Sequence, residues 1–107
     1  MQGLGCRIRL HFEIYLALEL MDPFDKTGWQ TFAEVCREDF SRCSFQEQLI
    51  RECAGLQDVA WAVFYRLLGQ SVGWLHHKIP ALGGEVPVEL LASGKADEVR
   101  RCLWRMP

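Results

Sequence analysis

Asp58-Val-Ala-Trp-Ala-Val-Phe-Tyr-Arg-Leu-Leu-Gly69 is apolar on nearly every face when wound at 3.6 residues per turn. Such a helix has little to offer water, so the stretch predicts a central helix over 59–68 that other helices surround. Asp58 stands where a capping carboxylate is expected, and Gly69 where a helix stops. Covering helices are readable on both sides. Upstream, Trp29, Phe32, Ala33, Cys36 and Phe40 recur at i, i+3, i+4, i+7 and i+11. They form one apolar stripe of a helix over 27–40 with Thr27 as its N-cap, and Gln30, Glu34, Arg37 and Glu38 mark the wet face. Ser44 followed three residues later by Glu47 has the form of a capping box. It opens a helix whose stripe is Phe45, Leu49, Cys53 and Leu56, weakened or ended at Gly55. Downstream, a short segment 71–77 is broken by Pro80. Pro87 sits at the first-turn position of a helix over 87–92, where its missing N–H costs nothing, and Gly94 ends it. A last helix over 97–105 points Val99 and Leu103 inward. The predicted class is all-α: a compact multi-helix domain of five to seven short helices, 1–107 as one domain.

Residues 7–20 pull against that class. Ile8, Leu10, Phe12, Ile14, Leu16, Leu18 and Leu20 alternate with Arg7, Arg9, His11, Glu13, Tyr15, Ala17 and Glu19, the period of a half-buried strand. Leu16-Ala-Leu-Glu-Leu-Met21 is built of good helix formers, and no second alternating segment exists to pair with it. A helix over the second half, or a strand pairing with a second copy, both remain open, with the helix preferred. Asp22-Pro23-Phe24-Asp25 reads as a turn.

Bulk properties narrow the function. Half of the 107 residues are apolar, and 12 basic against 14 acidic side chains leave a formal charge of −2. A footprint built on phosphate neutralisation needs a clustered basic surface, which that balance does not provide. Glu13 and Glu19 interrupt the apolar run over 7–21, so neither a signal peptide nor a membrane span is expected. The five cysteines, Cys6, Cys36, Cys43, Cys53 and Cys102, include no C-x-x-C pair. Their odd number and the stripe positions of Cys36 and Cys53 indicate small buried hydrophobes in a reducing, cytoplasmic setting.

The stretch Trp74-Leu-His-His-Lys-Ile-Pro-Ala-Leu-Gly-Gly-Glu-Val-Pro-Val-Glu-Leu-Leu-Ala-Ser-Gly94 has its own logic. Trp74 and Leu75 close a short helix that Pro80 cannot continue. Gly83-Gly84 admits positive φ, Pro87 restarts a helix with Glu89 in its first turns, and Leu90 and Leu91 bury that helix. The product is a fixed irregular loop between two short helices, suited to presenting backbone and apolar atoms to a partner.

This stretch resembles the toxin-binding domain of the Xre/MbcA/ParS antitoxins. Trp74, Leu75, Pro80, Ala81, Leu82, Gly83, Gly84, Pro87, Glu89, Leu90, Leu91, Gly94, Glu98 and Val99 fall in order on that family's pattern. Glu85 departs from it, since a basic residue is common there. The resemblance implies a bacterial type II antitoxin that binds and neutralises a cognate protein toxin, often one of the NAD-consuming RES-domain class. It implies a helical scaffold over 1–70, with a degenerate helix–turn–helix character, and a toxin-binding-like subdomain over 71–107. A homodimer is expected, and no enzymatic activity, metal or cofactor.

Two alternatives belong to other classes. The helices over 44–68 have a helix–turn–helix rhythm that would suit a DNA-binding autorepressor. The residues at the start of the second helix, Gln57, Asp58, Val59, Ala60 and Trp61, are acidic or apolar where base readers are wanted, so we read a helical hairpin without DNA readout. An orphan interaction module with no toxin is the other. Arg100, Arg101, Trp104 and Arg105 admit two readings of equal weight: a terminal amphipathic helix with solvated arginines, or an interface anchored by Trp and Arg. Adjacent His76 and His77 point about 100° apart on a helix and have no third ligand nearby in sequence, so they read as a solvated pair. No G-x-S-x-G, P-loop or H-E-x-x-H occurs. Trp29, Trp61 and Trp74 read as core. The candidate partner-binding set is therefore Trp74, Leu75, Pro80, Leu82, Gly83, Gly84, Pro87, Arg100, Arg101, Trp104 and Arg105.

Overall fold

The computed structural model describes residues 24–106, and the strand-or-helix question at 7–20, like Cys6, lies outside the described residues. Within them the fold is all-α: α1 (Lys26–Phe40), α2 (Gln46–Glu52), α3 (Gln57–Leu67), α4 (Ser71–Leu75), α5 (Pro87–Ala92) and α6 (Ala96–Arg105), with 3₁₀ turns at Leu68–Gln70 and Pro80–Leu82.

α3 is the central helix. It packs along α1 and touches α2, α4 and α6. Val59, Ala60, Ala62, Val63 and Phe64 are buried on it, as the apolar run requires. Trp29, Ala33, Cys36 and Phe40 of α1 face it, with Phe32 half-buried at the edge, and Leu49 of α2 and Cys53, the C-cap of that helix, close the far side. At about 1.5–3 kcal/mol for each large apolar side chain taken from water, this seam is the main source of cohesion. Rings lock its end: Phe64 meets Phe40 at 6.2 Å and Phe45 at 5.8 Å, both edge to face.

The caps differ from the sequence expectation. Asp25, not Thr27, is the N-cap of α1, its Oδ1 accepting from the Gly28 N–H at 2.6 Å. The Ser44–Glu47 capping box does not form; α2 is entered at Phe45, whose ring is held on Phe64, and no side chain bonds its first turn. Asp58 does not cap α3, which begins one residue earlier with Leu56 as N-cap; its carboxylate has other partners. Gly69 is not the stop either. The turn falls on Leu68, at φ 49°, and Ser71 secures it by donating to the Leu68 carbonyl at 2.6 Å.

Candidate protein-binding site

Past that corner, α4 ends at Leu75, a fully buried anchor, and the chain enters a loop closed on itself. The Ile79 N–H donates to the Glu85 carbonyl and the Gly84 N–H to the Ile79 carbonyl, each at 3.0 Å. Pro80–Leu82 makes one 3₁₀ turn inside that bridge, and Leu82 points down into the core. Gly83 and Gly84 follow at φ 67° and 83°, a left-handed pair that side-chain-bearing residues enter only with strain. The open space around both glycines shows that backbone conformation, not crowding, is the reason for them. Pro87 then opens α5 and is itself buried, and α5 lies against α6.

α6 is fastened to the scaffold at two points along α3. At one, the Arg100 guanidinium donates from Nε to Asp58 Oδ2 at 2.8 Å and from Nη2 to Oδ1 at 3.4 Å, while Nη1 reaches Asp97 at 2.9 Å. Trp29 Nε1–H donates to the same Asp58 oxygen at 2.7 Å, so α1, α3 and α6 meet at one carboxylate. Burial alone would raise the Asp58 pKa, but the hydrogen bonds from Arg100 and Trp29 outweigh it and hold the carboxyl below its ordinary range. Burial alone would lower the Arg100 pKa, but its hydrogen bonds to Asp58 and Asp97 outweigh that and raise it. At the other point, Arg66 Nε donates to the Leu103 carbonyl at 3.0 Å and Nη2 to the Trp104 carbonyl at 3.4 Å. A guanidinium thus satisfies carbonyls of the last turn and answers the negative end of the helix dipole.

These contacts divide the eleven candidate residues. Leu75 and Pro87 are core, and they shape the loop without reaching its surface. Arg100 is spent inside the fold. Trp104 stands edge to face against Phe24 and Phe32, both at 5.9 Å. Its six-membered ring reaches the α1 backbone where a Cβ on Gly28 would come within 3.0 Å of Cη2. Trp74 is half-buried, and Pro80, Gly83 and Gly84 are exposed on the loop. Leu82, Arg101 and Arg105 do come together. They line a groove of about 430 Å³ between the loop and α6, with Ile79, Ala81, Glu98, Cys102 and Met106.

Ile79, Cys102 and Met106 are absent from the sequence-based set. A signal for two of them was present: Val99, Cys102, Leu103 and Met106 recur at i, i+3, i+4 and i+7. Arg66 and Asp58, which set the pose of α6, carry no such signal. His76 is paired, with 2.8 Å between Nε2 and Glu52 Oε1 on α2. Where a recognition helix would present its first residues, Val59 and Ala60 are fully buried and Asp58 is engaged. No helix among the described residues is long and apolar enough to cross a membrane.

No curated protein and no solved structure matches the chain. Residues 66–106, which build the loop and α6, match the family model of the antitoxin Xre/MbcA/ParS C-terminal toxin-binding domain.

Proposed function

We propose that the chain is an antitoxin that binds and neutralises a cognate protein toxin through the face made by the 79–85 loop and the outer side of α6. The observation that carries this reading is a coincidence of two boundaries. The family match spans 66–106, and the same residues build the closed loop, the groove and the fastening of α6 by Arg66. Pre-formed loops on a rigid scaffold hold a binding surface without an ordering cost on association. Of the sequence-based candidates, Pro80, Leu82, Gly83, Gly84, Arg101 and Arg105 are assigned to this face. Trp74 borders it, while Leu75, Pro87, Arg100 and Trp104 support it from within.

The toxin class we favour is the NAD-consuming RES domain, and the setting is the bacterial cytoplasm. Homodimerisation is part of the same reading. Val35 and Leu68, 55% and 57% exposed, are the apolar side chains outside the groove that a second copy would cover. No observation favours DNA binding by α2 and α3. Co-expression of the full chain with the product of the adjacent reading frame tests the function. The expected results are a complex that co-purifies and relief of the growth arrest that the partner causes alone. A partner that stays toxic and elutes separately would defeat it. Light scattering on the purified chain at a few concentrations checks the dimer, which a monomer mass at high concentration would exclude.

A further inference from the structure

We propose that the open apolar face made by Phe32, Val35 and Trp104 is covered by the chain's own residues 16–21, Leu-Ala-Leu-Glu-Leu-Met, returning from Phe24. The face lies on the α1 side of Trp104 and shares no lining residue with the loop groove, so its cover does not depend on toxin binding.

α1 carries two apolar stripes. One, Trp29, Ala33, Cys36 and Phe40, is spent on the core. The other, Gly28, Thr31, Phe32 and Val35, recurs at i, i+3, i+4 and i+7. With Trp104 these residues line an open depression of about 520 Å³. None of the five is charged, and the Thr31 hydroxyl already donates to the Thr27 carbonyl at 3.2 Å. Such a depression gives a polar ligand little to hold, and an apolar cover is what it fits. Val35 is 55% exposed, and Tyr65 extends the face by meeting Phe32 edge to face at 5.9 Å.

The place where the described chain begins selects the occupant. Phe24 is buried, and its ring meets Trp104 edge to face at 5.9 Å; Trp104 meets Phe32 at the same distance. The preceding chain therefore arrives one ring away from the face. Asp22 and Pro23 alone separate Phe24 from Met21, a reach of about 11 Å at full stretch. Gly28 to Val35 runs about 10 Å along α1, and six residues span about 9 Å as a helix or about 20 Å as a strand. The run is long enough in either form. Leu16, Leu18, Leu20 and Met21 also need cover, and the sequence holds no second alternating segment to supply it. A segment tethered this closely meets the face at an effective concentration on the order of millimolar, which favours it over a separate chain. The second copy proposed above then closes over Leu68 and the edge of Val35 with the segment in place.

The test follows methyl and ring protons of the full chain by NMR. Nuclear Overhauser contacts should link the Val35 methyls and the Trp104 ring to the methyls of Leu16, Leu18 or Leu20. In an equal mixture of isotope-labelled and unlabelled chains, filtered for contacts between copies, those same contacts should vanish. Contacts that survive the filter give the face to the segment of a second copy and overturn the inference. So does the absence of any contact between 16–21 and the face. The variant L16D/L20D should move the Val35 methyls and raise the binding of a hydrophobic dye severalfold, while the Leu49 methyls of α2 stay in place. Val35 methyls and dye binding that match the parent chain would refute the cover. Leu49 separates uncovering from unfolding, and the contacts in the parent chain decide the matter even where the variant unfolds.

Discussion

Asp58 and Arg100 show how one pair of residues joins the scaffold to the binding face. Both side chains are mostly buried, so removing either strands a charge. Arg100→Ala or Asp58→Ala should cost about 2–4 kcal/mol by urea denaturation. Arg100→Lys should recover little, because an ammonium cannot span both Asp58 oxygens and Asp97 together. The pair also sets an acid limit. Asp58 is held below its ordinary range in the folded chain, so its contribution is complete above the unfolded value of about 4 and is lost as pH falls through the lower folded value. The stability difference between the parent chain and Asp58→Asn should therefore be constant near neutrality and shrink below about pH 4. A gap unchanged down to pH 2 would show that the carboxylate charge is not what matters.

At Gly84, where φ is 83° and the surroundings are open, alanine meets only the conformational penalty. Gly84→Ala should cost about 1 kcal/mol by the same measurement. The thiols behave differently from a reactive set: burial pushes Cys36 up to about 11 and Cys53 up to about 12. Mass-spectrometric mapping after iodoacetamide treatment at pH 8 should find both unmodified in the native chain and both alkylated in urea. Labelling of either without denaturant would contradict their placement.

The elements differ in how far the sequence exposes them. The interior stripes were legible because they rest on local periodicity. Trp29, Ala33, Cys36 and Phe40 are buried as their spacing requires, and Pro87–Ala92 begins and ends where its proline and Ser93-Gly94 place it. The caps were less so. Asp25 competes with Thr27 for the first turn of α1, and the ring of Phe45, drawn onto Phe64, sets the entry to α2 instead of Ser44. A cap yields about 1 kcal/mol, so a packed aromatic ring overrides it. α6 shows the deeper limit. Arg100 and Trp104 are of the residue types that anchor interfaces, yet their partners Asp58, Phe24 and Phe32 lie 42 or more residues away. A residue's type at a given spacing carries no record of such contacts. The same holds for Arg66, which bonds carbonyls 37 and 38 residues downstream. Arg66→Ala should cost about 1–2 kcal/mol and raise amide exchange at 103–106 more than in α1. Uniform exchange across both helices would mean that Arg66 does not secure the end of α6.

At the scale of the whole molecule, α1–α3 and the elements after them share one core among the described residues. α3 is the floor for α1 and α6 alike, so changes deep in the seam should reach the binding face. Leu103→Ala, at a fully buried position, should destabilise the fold by about 2–5 kcal/mol and lower partner affinity with it. R101E/R105E should lower affinity by more than any accompanying loss of stability accounts for. This contrast between interior and rim is what a pre-formed docking face predicts.

Hydrogen exchange on the complex with the product of the adjacent reading frame tests that face most directly. Slowed exchange confined to 79–85 and the outer turns of α6, with α2 unchanged, is the predicted footprint. Protection centred on α2 and the start of α3, with the loop and α6 exchanging as in the free chain, would contradict the account.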